Sequence, residues 1–211
     1  MVNCLLFFLV GWLVSDKFLN NMPKLILLFS GKRKSGKDKI TDLLFERVKE
    51  EAVLIKISAP IKSHFSKSQG LDYDQLMSTS SYKEQFRLEM IKWSEQVRQS
   101  DHGHFCRAAI EMTNADKKPI WIVSDMRRQT DLQWFRDNYE HITTVRVWSS
   151  EEQRTDRGWV FTSGIDDQET ECDLDSVGEW DLIIENNGTL DDLQSDIERI
   201  VKIVKQAAGT T

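Results

Sequence analysis

A short basic loop near the start of the chain has the residue types and spacing for binding phosphate. It consists of Gly31, Lys32, Arg33, Lys34, Ser35, Gly36 and Lys37. The pattern G-x-x-x-x-G-K lets the backbone curl so that several N–H groups point inward at a phosphate. A helix that starts near Gly36 would add the positive end of its dipole. Lys37 could then reach the β- and γ-phosphates of a nucleotide as a mobile point charge.

The residue after this loop departs from the usual motif, which ends in a Ser or Thr that binds Mg²⁺ through its hydroxyl. Here the position is Asp38, whose carboxylate is also a good oxygen ligand for Mg²⁺. Cations crowded into one loop repel each other unless an anion lies among them. A bound nucleotide therefore explains the loop better than the alternative, a solvated basic turn.

A second basic cluster follows further along the chain. Lys83, Arg87 and Arg98 lie in one helical pattern, and at 100° per residue they share a face within about 60°. Arg107 is on the next helical stretch, and Arg127 and Arg128 follow an apolar strand pattern. Each of these could be an ordinary surface cation. Together they indicate a pocket for a small, doubly anionic substrate, because the arginine fork grips phosphate and carboxylate in a bidentate way.

Three more residues are candidates for catalysis. Asp125 closes an apolar strand pattern, where an aspartate can hold Mg²⁺ or orient the attacking oxygen; the alternative is a turn or helix-capping residue. Arg154 and Arg157 are three residues apart in a charged helical pattern. They could close over a transferring phosphoryl group as arginine fingers, or belong to a solvated helix.

Composition limits the class of protein. The chain has 211 residues, a net charge of −6 and 40% hydrophobic residues, which fits one globular domain. The acidic balance argues against nucleic-acid binding, which needs a basic surface. Cys4, Cys106 and Cys172 are too far apart for a disulfide framework or zinc motif, so we expect free thiols in a reducing compartment. The four histidines show no metal-binding spacing.

The N-terminus carries an unbroken apolar run over residues 4–14. It is well short of the roughly 20 residues that a membrane-spanning helix needs, and it lacks the charge pattern of a secretory signal. We expect residues 1–21 to be an extension outside the fold, with a weak membrane tether or failed signal as the alternative. Residues 22–211 would form the single domain, with no stable membrane span.

Hydrophobic patterning divides the domain into alternating elements. Strand patterns cover residues 24–30, 52–58, 119–125, 142–148 and 180–186, and the main helical patterns cover 37–48, 82–99, 130–139, 151–160 and 189–205. Residues 162–179 are acidic and irregular in pattern. The alternation predicts an α/β fold with a five-stranded parallel sheet covered on both faces. Ligands should bind beyond the carboxyl ends of its strands, and residues 151–179 should form a small helical lid, the lid segment.

These residues together resemble the animal-type phosphomevalonate kinase family. The resemblance spans about residues 23–205. It is carried by LLFSGKRKSGKD (27–38), SYKEQFR (81–87), SDMRRQTDLQWFR (124–136), RGWVFT (157–162) and IEN (184–186). A phosphate loop that ends in Asp is normal in this family. The resemblance implies a three-layer P-loop kinase fold similar to nucleoside monophosphate kinases. It also implies ATP-dependent conversion of (R)-5-phosphomevalonate to 5-diphosphomevalonate, in the mevalonate route to isoprenoids and sterols.

The family resemblance also implies roles for individual residues. Residues 32–38 would bind ATP, Arg157 would meet the nucleotide phosphates, and Asn186 and Asn187 would line the nucleotide or substrate site. The phosphate and carboxylate of phosphomevalonate would be gripped by Lys83, Arg87, Arg98, Arg107, Arg127 and Arg128. ATP and Mg²⁺ are the expected cosubstrate and metal. The family is associated with cytosol and peroxisome. The ending Gly209-Thr210-Thr211 is not a peroxisomal S-K-L type, so we expect the cytosol, with the peroxisome as the alternative. We also expect a monomer.

Two other functions compete with this interpretation. A nucleoside monophosphate kinase would use the same phosphate loop but would need a base pocket, which the sequence does not reveal. A nucleotide-gated switch or binding module would hold nucleotide without transferring phosphate, and its guanine signature N-K-x-D is absent from the sequence.

Overall fold

The computed structural model describes residues 22–78, 81–189 and 191–210. The predictions for residues 1–21, including Cys4, lie outside these residues. Five parallel strands form one sheet in the order β2-β3-β1-β4-β5. Their bounds are Leu25–Ser30 (β1), Ala52–Ile55 (β2), Ile120–Val123 (β3), Ile142–Trp148 (β4) and Leu182–Glu185 (β5). The predicted α/β class and parallel sheet are confirmed.

Helices connect the strands and cover both faces of the sheet. They are Lys37–Val48 (α1), Ala59–Gln69 (α2), Tyr73–Met77 (α3), Ser81–Ser100 (α4), His104–Met112 (α5), Gln129–Asn138 (α6), Glu151–Asp156 (α7), Glu169–Cys172 (α8) and Gln194–Ala208 (α9), with 3₁₀ turns at Ala115–Lys117 and Asp173–Ser176. Among the described residues, none of the helices combines the length and apolar character required to cross a bilayer.

The central strand β1 divides the core into two layers because its side chains alternate between the faces of the sheet. Leu27 and Phe29 pack in one layer with residues of α1 and α9. Ile26 and Leu28 pack in the other layer with residues of α5 and α6. All six residues of β1 are buried, which explains why this strand reads as a continuous apolar run rather than an alternating one.

Several predicted boundaries are wrong in the segment between β4 and β5. The charged helix predicted for 151–160 ends at Asp156, because Gly158 adopts a φ of 79° that ends the helix. The region predicted as irregular contains α8 and a 3₁₀ turn. Leu174 of this turn is 3% exposed and packs in the core, so the second half of the lid segment is attached to the body of the domain.

The final helix also begins later than predicted, at Gln194. The Thr189–Asp192 pair still forms, since the Thr189 N–H donates to the Asp192 carboxylate at 2.7 Å. The pair closes a turn ahead of the helix rather than capping its first residue.

The central position of β1 predicts a large effect of truncating its side chains. Leu28→Ala removes a fully buried side chain and should lower the free energy of unfolding by about 2–5 kcal/mol, because a cavity remains. Ile183→Ala, on β5, is the matched control: Ile183 is 58% exposed, and the expected change is within about 0.5 kcal/mol. Urea denaturation of both variants measures the difference, and equal losses would contradict the assigned position of β1.

Candidate functional site

The phosphate loop lies between the carboxyl end of β1 and the start of α1. Its backbone turns sharply, with φ of 62° at Lys34 and 89° at Gly36 and a hydrogen bond from the Ser35 N–H to the Lys32 carbonyl at 3.1 Å. Gly36 precedes α1, and no side chain caps this helix. The first N–H groups of a helix lack intrahelical partners, so the loop and helix end form an electropositive cradle suited to an anion.

Asn186 braces this loop from the end of β5. Its side-chain amide donates to the Ser35 carbonyl at 2.8 Å, and the side chain is almost completely buried. A Cβ at Gly36 would lie 2.1 Å from the Asn186 amide nitrogen, which no real contact allows. Glycine is therefore required at residue 36 both for its positive φ and for the close approach of Asn186.

Arg157 contacts the same part of the loop. Its guanidinium donates to the Asn186 carbonyl at 2.8 Å and to the Ser149 hydroxyl at 3.0 Å. Longer contacts of 3.4 Å reach the carbonyls of Lys34 and Ser35. The structure thus brings Arg157 and Asn186, two predicted nucleotide-binding residues, to one side of the phosphate loop.

Arg154 lies elsewhere, although the sequence pattern puts it on the same helix face as Arg157. Its guanidinium stacks over the Trp159 ring at 4.1 Å and is 9% exposed. It lines a separate cavity together with Lys32 and Ser35. The helix ends at Asp156, so the shared face expected from continuous helical spacing does not extend to Arg157.

Lys37 is the first residue of α1 and is 5% exposed. Its ammonium donates to the Ser124 carbonyl at 2.6 Å and to the Asp38 carboxylate at 2.5 Å. Desolvation would raise the pKa of Asp38, but the charge and hydrogen bond of Lys37 outweigh it and hold that pKa below its ordinary value. Asp38 is therefore ionised at neutral pH.

The other cations of the phosphate loop are paired with carboxylates of the lid segment. Lys32 lies 2.6 Å from Asp175, and the Arg33 guanidinium donates to Asp166 at 2.9 Å. From the sequence, we explained the crowded cations of this loop by a bound anion alone. The structure corrects this, because acidic side chains more than 130 residues away already offset part of the charge.

A cavity of about 200 Å³ opens next to Lys37 and Asp38. The predicted substrate-binding residues that line it are Lys83, Arg87, Arg98, Arg127 and Arg128. The structure therefore brings these cations from α4 and from the loop after β3 to a single cavity, and that cavity shares Lys37 and Asp38 with the phosphate loop.

Carboxylates hold the arginines of this cavity in place. Buried Asp131 accepts from Arg98 at 2.8 Å, and Glu171 accepts from both Arg87 and Arg127. Arg128 is held by Glu95 and Glu169.

Burial disfavours the charged form of each of these groups, so it shifts the pKa values of the arginines and of the carboxylate in opposite directions. It lowers the pKa of Arg87, with the nearby charge of Arg127 acting in the same direction. It would also lower the pKa of Arg127, but the field of Glu171 more than compensates and raises it. Burial raises the pKa of Asp131 despite the attraction of Arg98.

Two lysines of the cavity, Lys56 and Lys62, are not among the sequence candidates. Burial lowers the pKa of Lys62 to about 8; the charges of Lys83 and Lys56 act in the same direction, while Asp125 opposes them. Their positions in the sequence could have identified them, since Lys56 and Lys62 lie on either side of the end of the second strand pattern, and this end belongs to the carboxyl edge of the sheet. No motif marks them, and a single lysine there resembles any surface cation.

Asp125 lies at the cavity wall but also has a clear structural contact. Its carboxylate accepts from the backbone N–H groups of Ile57 at 2.6 Å and Ser58 at 3.1 Å. The carboxylate thereby joins the loop after β3 to the turn that precedes α2, as the turn alternative predicts. Each carboxylate oxygen can still accept a further hydrogen bond or bind a cation.

Arg107, Asn186 and Asn187, all predicted to contact substrate, do not line the cavity. Arg107 pairs with Asp101 at the surface, with a side chain that is 52% exposed, and it does not line this cavity. The Asn187 side chain accepts from the Ser150 N–H at 2.8 Å, so it positions the start of α7.

Carboxylates suitable for a metal are sparse at the site. Within the described residues there is no group of three or more His, Cys, Asp or Glu side chains arranged to hold an ion. Asp38 and Asp125 line the same cavity. Mg²⁺ is often held by one or two carboxylates and completed by substrate phosphates and water, so these residues fit such an ion.

Comparison with known proteins gives the family. A sequence model of the phosphomevalonate kinase family matches residues 29–141. A phosphomevalonate kinase from Drosophila melanogaster is 44% identical over 176 residues, which are 82% of this chain and 93% of that protein.

Solved structures resemble the chain at low identity. TT1252 from Thermus thermophilus has a TM-score of 0.50 and 17% identity, covering 86% of this chain and 98% of that one. A gluconokinase from Sinorhizobium meliloti 1021 has a TM-score of 0.46 and 14% identity, covering 88% and 97%. The fold is a three-layer α/β fold with a phosphate loop after its first strand. On the family match and the identity to its Drosophila relative, this chain belongs to the phosphomevalonate kinase family.

Proposed function

We propose that this protein transfers the γ-phosphoryl group of ATP to (R)-5-phosphomevalonate and gives (R)-5-diphosphomevalonate and ADP. The observation that carries the proposal is the shared boundary of two anion-binding features. The phosphate loop and the arginine-lined cavity meet at Lys37 and Asp38. A phosphoryl donor on the loop and a phosphate-bearing acceptor in the cavity would therefore be in contact.

The donor site would comprise Lys37, Arg157, Asn186 and the remainder of the phosphate loop. Backbone N–H groups and the end of the α1 dipole would face the phosphates. Lys37 would exchange its present hydrogen bonds for phosphate oxygens as ATP binds.

The acceptor site would use the cavity arginines for the two anionic ends of phosphomevalonate. Arg127 and Arg128 come from the loop after β3, and Arg87 and Arg98 come from α4. Guanidinium forks recognise phosphate and carboxylate through paired hydrogen bonds. Lys56, Lys62 and Lys83 would add positive charge without fixing direction.

The reaction would be an in-line displacement at phosphorus. An oxygen of the acceptor phosphate forms the new P–O bond, and the bond between the γ-phosphorus and the bridging oxygen breaks, so that ADP leaves with the electron pair. The acceptor oxygen is already ionised, and no general base is needed. The protein's task is to bring two anions together and to screen their repulsion.

Asp38 and Asp125 would hold a magnesium ion together with phosphate oxygens and water. The ion would supply positive charge at the bridging and terminal phosphate oxygens. Lys37 and Arg157 would stabilise the same charge from the protein side, and closure over the site would exclude water.

We also infer a monomeric enzyme of the cytosol. Cys106 and Cys172 are free thiols, and burial raises the pKa of the Cys106 thiol strongly. Free thiols fit a reducing compartment, where disulfides do not persist. Size-exclusion chromatography with light scattering tests the monomer.

An acceptor panel tests the proposed reaction. ADP release should be rapid with phosphomevalonate and absent with nucleoside monophosphates, because the cavity offers cations to two separate anionic groups and a nucleoside monophosphate carries only one. Preference for a nucleoside monophosphate would establish the competing kinase function. Nucleotide binding without turnover on any acceptor would establish the binding module.

Lys37→Met should lower kcat by about 10²–10³-fold, since it removes a donor directed at transferring charge. Lys39→Met is the matched control on the same helix; Lys39 is exposed and its variant should retain normal turnover. Coupled ADP-release kinetics measure both. A normal kcat for Lys37→Met would contradict the role given to this lysine.

Arg127→Ala should mainly raise KM for the acceptor, by about 10–100-fold, because it removes a charged hydrogen bond to the bound anion. Arg107→Ala is its control, since Arg107 lies outside the cavity, and KM should change by less than about twofold. If both variants raised KM equally, the assignment of Arg127 to the acceptor site and of Arg107 to the surface outside it would be wrong.

The pKa of Lys62 predicts a pH dependence. With a pKa of about 8, its ammonium is charged below that pH and loses its proton above it, so attraction for the anionic acceptor weakens. kcat/KM for the acceptor should therefore fall between about pH 8 and pH 9.5, because burial and neighbouring cations have moved this group into that range.

Lys62→Arg should flatten the fall in kcat/KM, since arginine stays protonated. Lys67→Arg, an exposed site on the same helix, should leave it unchanged. A profile that is identical in the Lys62→Arg variant would assign the pH dependence to another group.

A further inference from the structure

Glu171 is a buried carboxylate for which the proposed reaction has no direct use. It lies on α8 in the lid segment, and its side chain is 2% exposed. A buried charge is costly unless it is paired and hydrogen-bonded. Its partners therefore indicate what this position does.

The two oxygens of Glu171 face different functional features. Oε2 accepts from the backbone N–H of Arg33, in the phosphate loop, at 3.2 Å. Oε1 accepts from the Arg87 guanidinium at 3.1 Å and from the Arg127 guanidinium. One carboxylate thus links the phosphate loop to two arginines of the acceptor cavity.

The charge of Glu171 makes this arrangement stable. Arg87 and Arg127 are close enough for the field of Arg127 to lower the pKa of Arg87. A carboxylate shared between two guanidiniums offsets their repulsion and fixes where each can lie. The peptide bond of Arg33 is restrained by the same group.

We propose that Glu171 is a positioning residue that couples the two ligand sites: it holds the phosphate loop and the acceptor arginines in one hydrogen-bonded unit, so that ordering either side orders the other. The identity of the two ligands rests on the proposed function. The coupling itself rests on the three contacts of Glu171.

A coupling of this kind has a thermodynamic signature. When two sites share an element, each ligand changes the affinity of the other by the same factor. The acceptor should therefore bind more tightly when the nucleotide site is occupied, by at least about fivefold, the lower end of usual coupling energies. A residue that only supports the fold would weaken both affinities and leave their ratio unchanged.

Calorimetry of the intact protein tests the proposal. Phosphomevalonate is titrated into protein alone and into protein saturated with a magnesium ATP analogue whose γ-phosphoryl cannot be transferred. The ratio of the two dissociation constants is compared between the unaltered protein and Glu171→Gln, which keeps the size of the side chain but removes its charge. The ratio should fall to within about twofold of one in the variant. Thermal denaturation of the variant should show that it is still folded.

Two further variants distinguish the contacts that Glu171 makes to both sites from the effect of its negative charge. Glu171→Asp retains the charge but withdraws the carboxylate by about 1.5 Å, one carbon–carbon bond, so it cannot reach both Arg33 and the arginines, and the coupling should again be lost. Glu179→Gln removes one negative charge at an exposed position of the same segment and should preserve the ratio. Glu171→Asp also provides the test if Glu171→Gln fails to fold.

The outcomes are distinct. An unaltered protein without coupling, or Glu171 variants that keep the full ratio, would overturn the inference while leaving the proposed reaction intact. Full coupling in Glu171→Asp would reduce the role of Glu171 to charge alone and would overturn the bridging geometry. Failure of phosphomevalonate to bind the unaltered protein would overturn the proposed function and this inference with it.

Discussion

Repulsion between positive side chains is the constraint on which the whole site depends. An acidic chain concentrates lysines and arginines around one loop and one cavity, and these charges cannot remain close without negative partners. Asp131 supplies such a charge from the body of the domain, and Glu171 and Asp175 supply it from the segment between β4 and β5. These carboxylates therefore allow the cations to lie close together before any phosphate arrives.

The fold makes this concentration of charge possible by bringing strand ends together. In a parallel sheet the carboxyl ends of neighbouring strands meet at one edge. β1 lies at the centre of the sheet order, and the phosphate loop follows it, with the Arg127 loop on the side of β3 and Asn186 on the side of β5. Close packing of Asn186 against Gly36 then fixes the position of the phosphate loop.

Sequence patterns predicted this framework better than the details of its charges. The first strand, the phosphate loop, the α1 bounds and β4 follow directly from local apolar spacing and glycine positions. Helical spacing correctly grouped Arg87 and Arg98 on one cavity-facing side of α4, since both line the cavity. The same reasoning was not sufficient for Arg107, because α4 ends at Ser100 and a turn through Gly103 redirects the chain before α5 begins.

The sequence by itself determined the succession of strands and helices along the chain and the chemistry of the phosphate loop, because both depend on residues that are neighbours along the chain. Only the tertiary structure decided which carboxylate holds which cation. Arg98 meets Asp131 across 33 positions and the Arg33 backbone meets Glu171 across 138, and no local spacing carries that information. Hydrogen-bonded charge pairs are selected by the packing of whole elements, so their partners emerge only when the sheet and its covering helices are assembled.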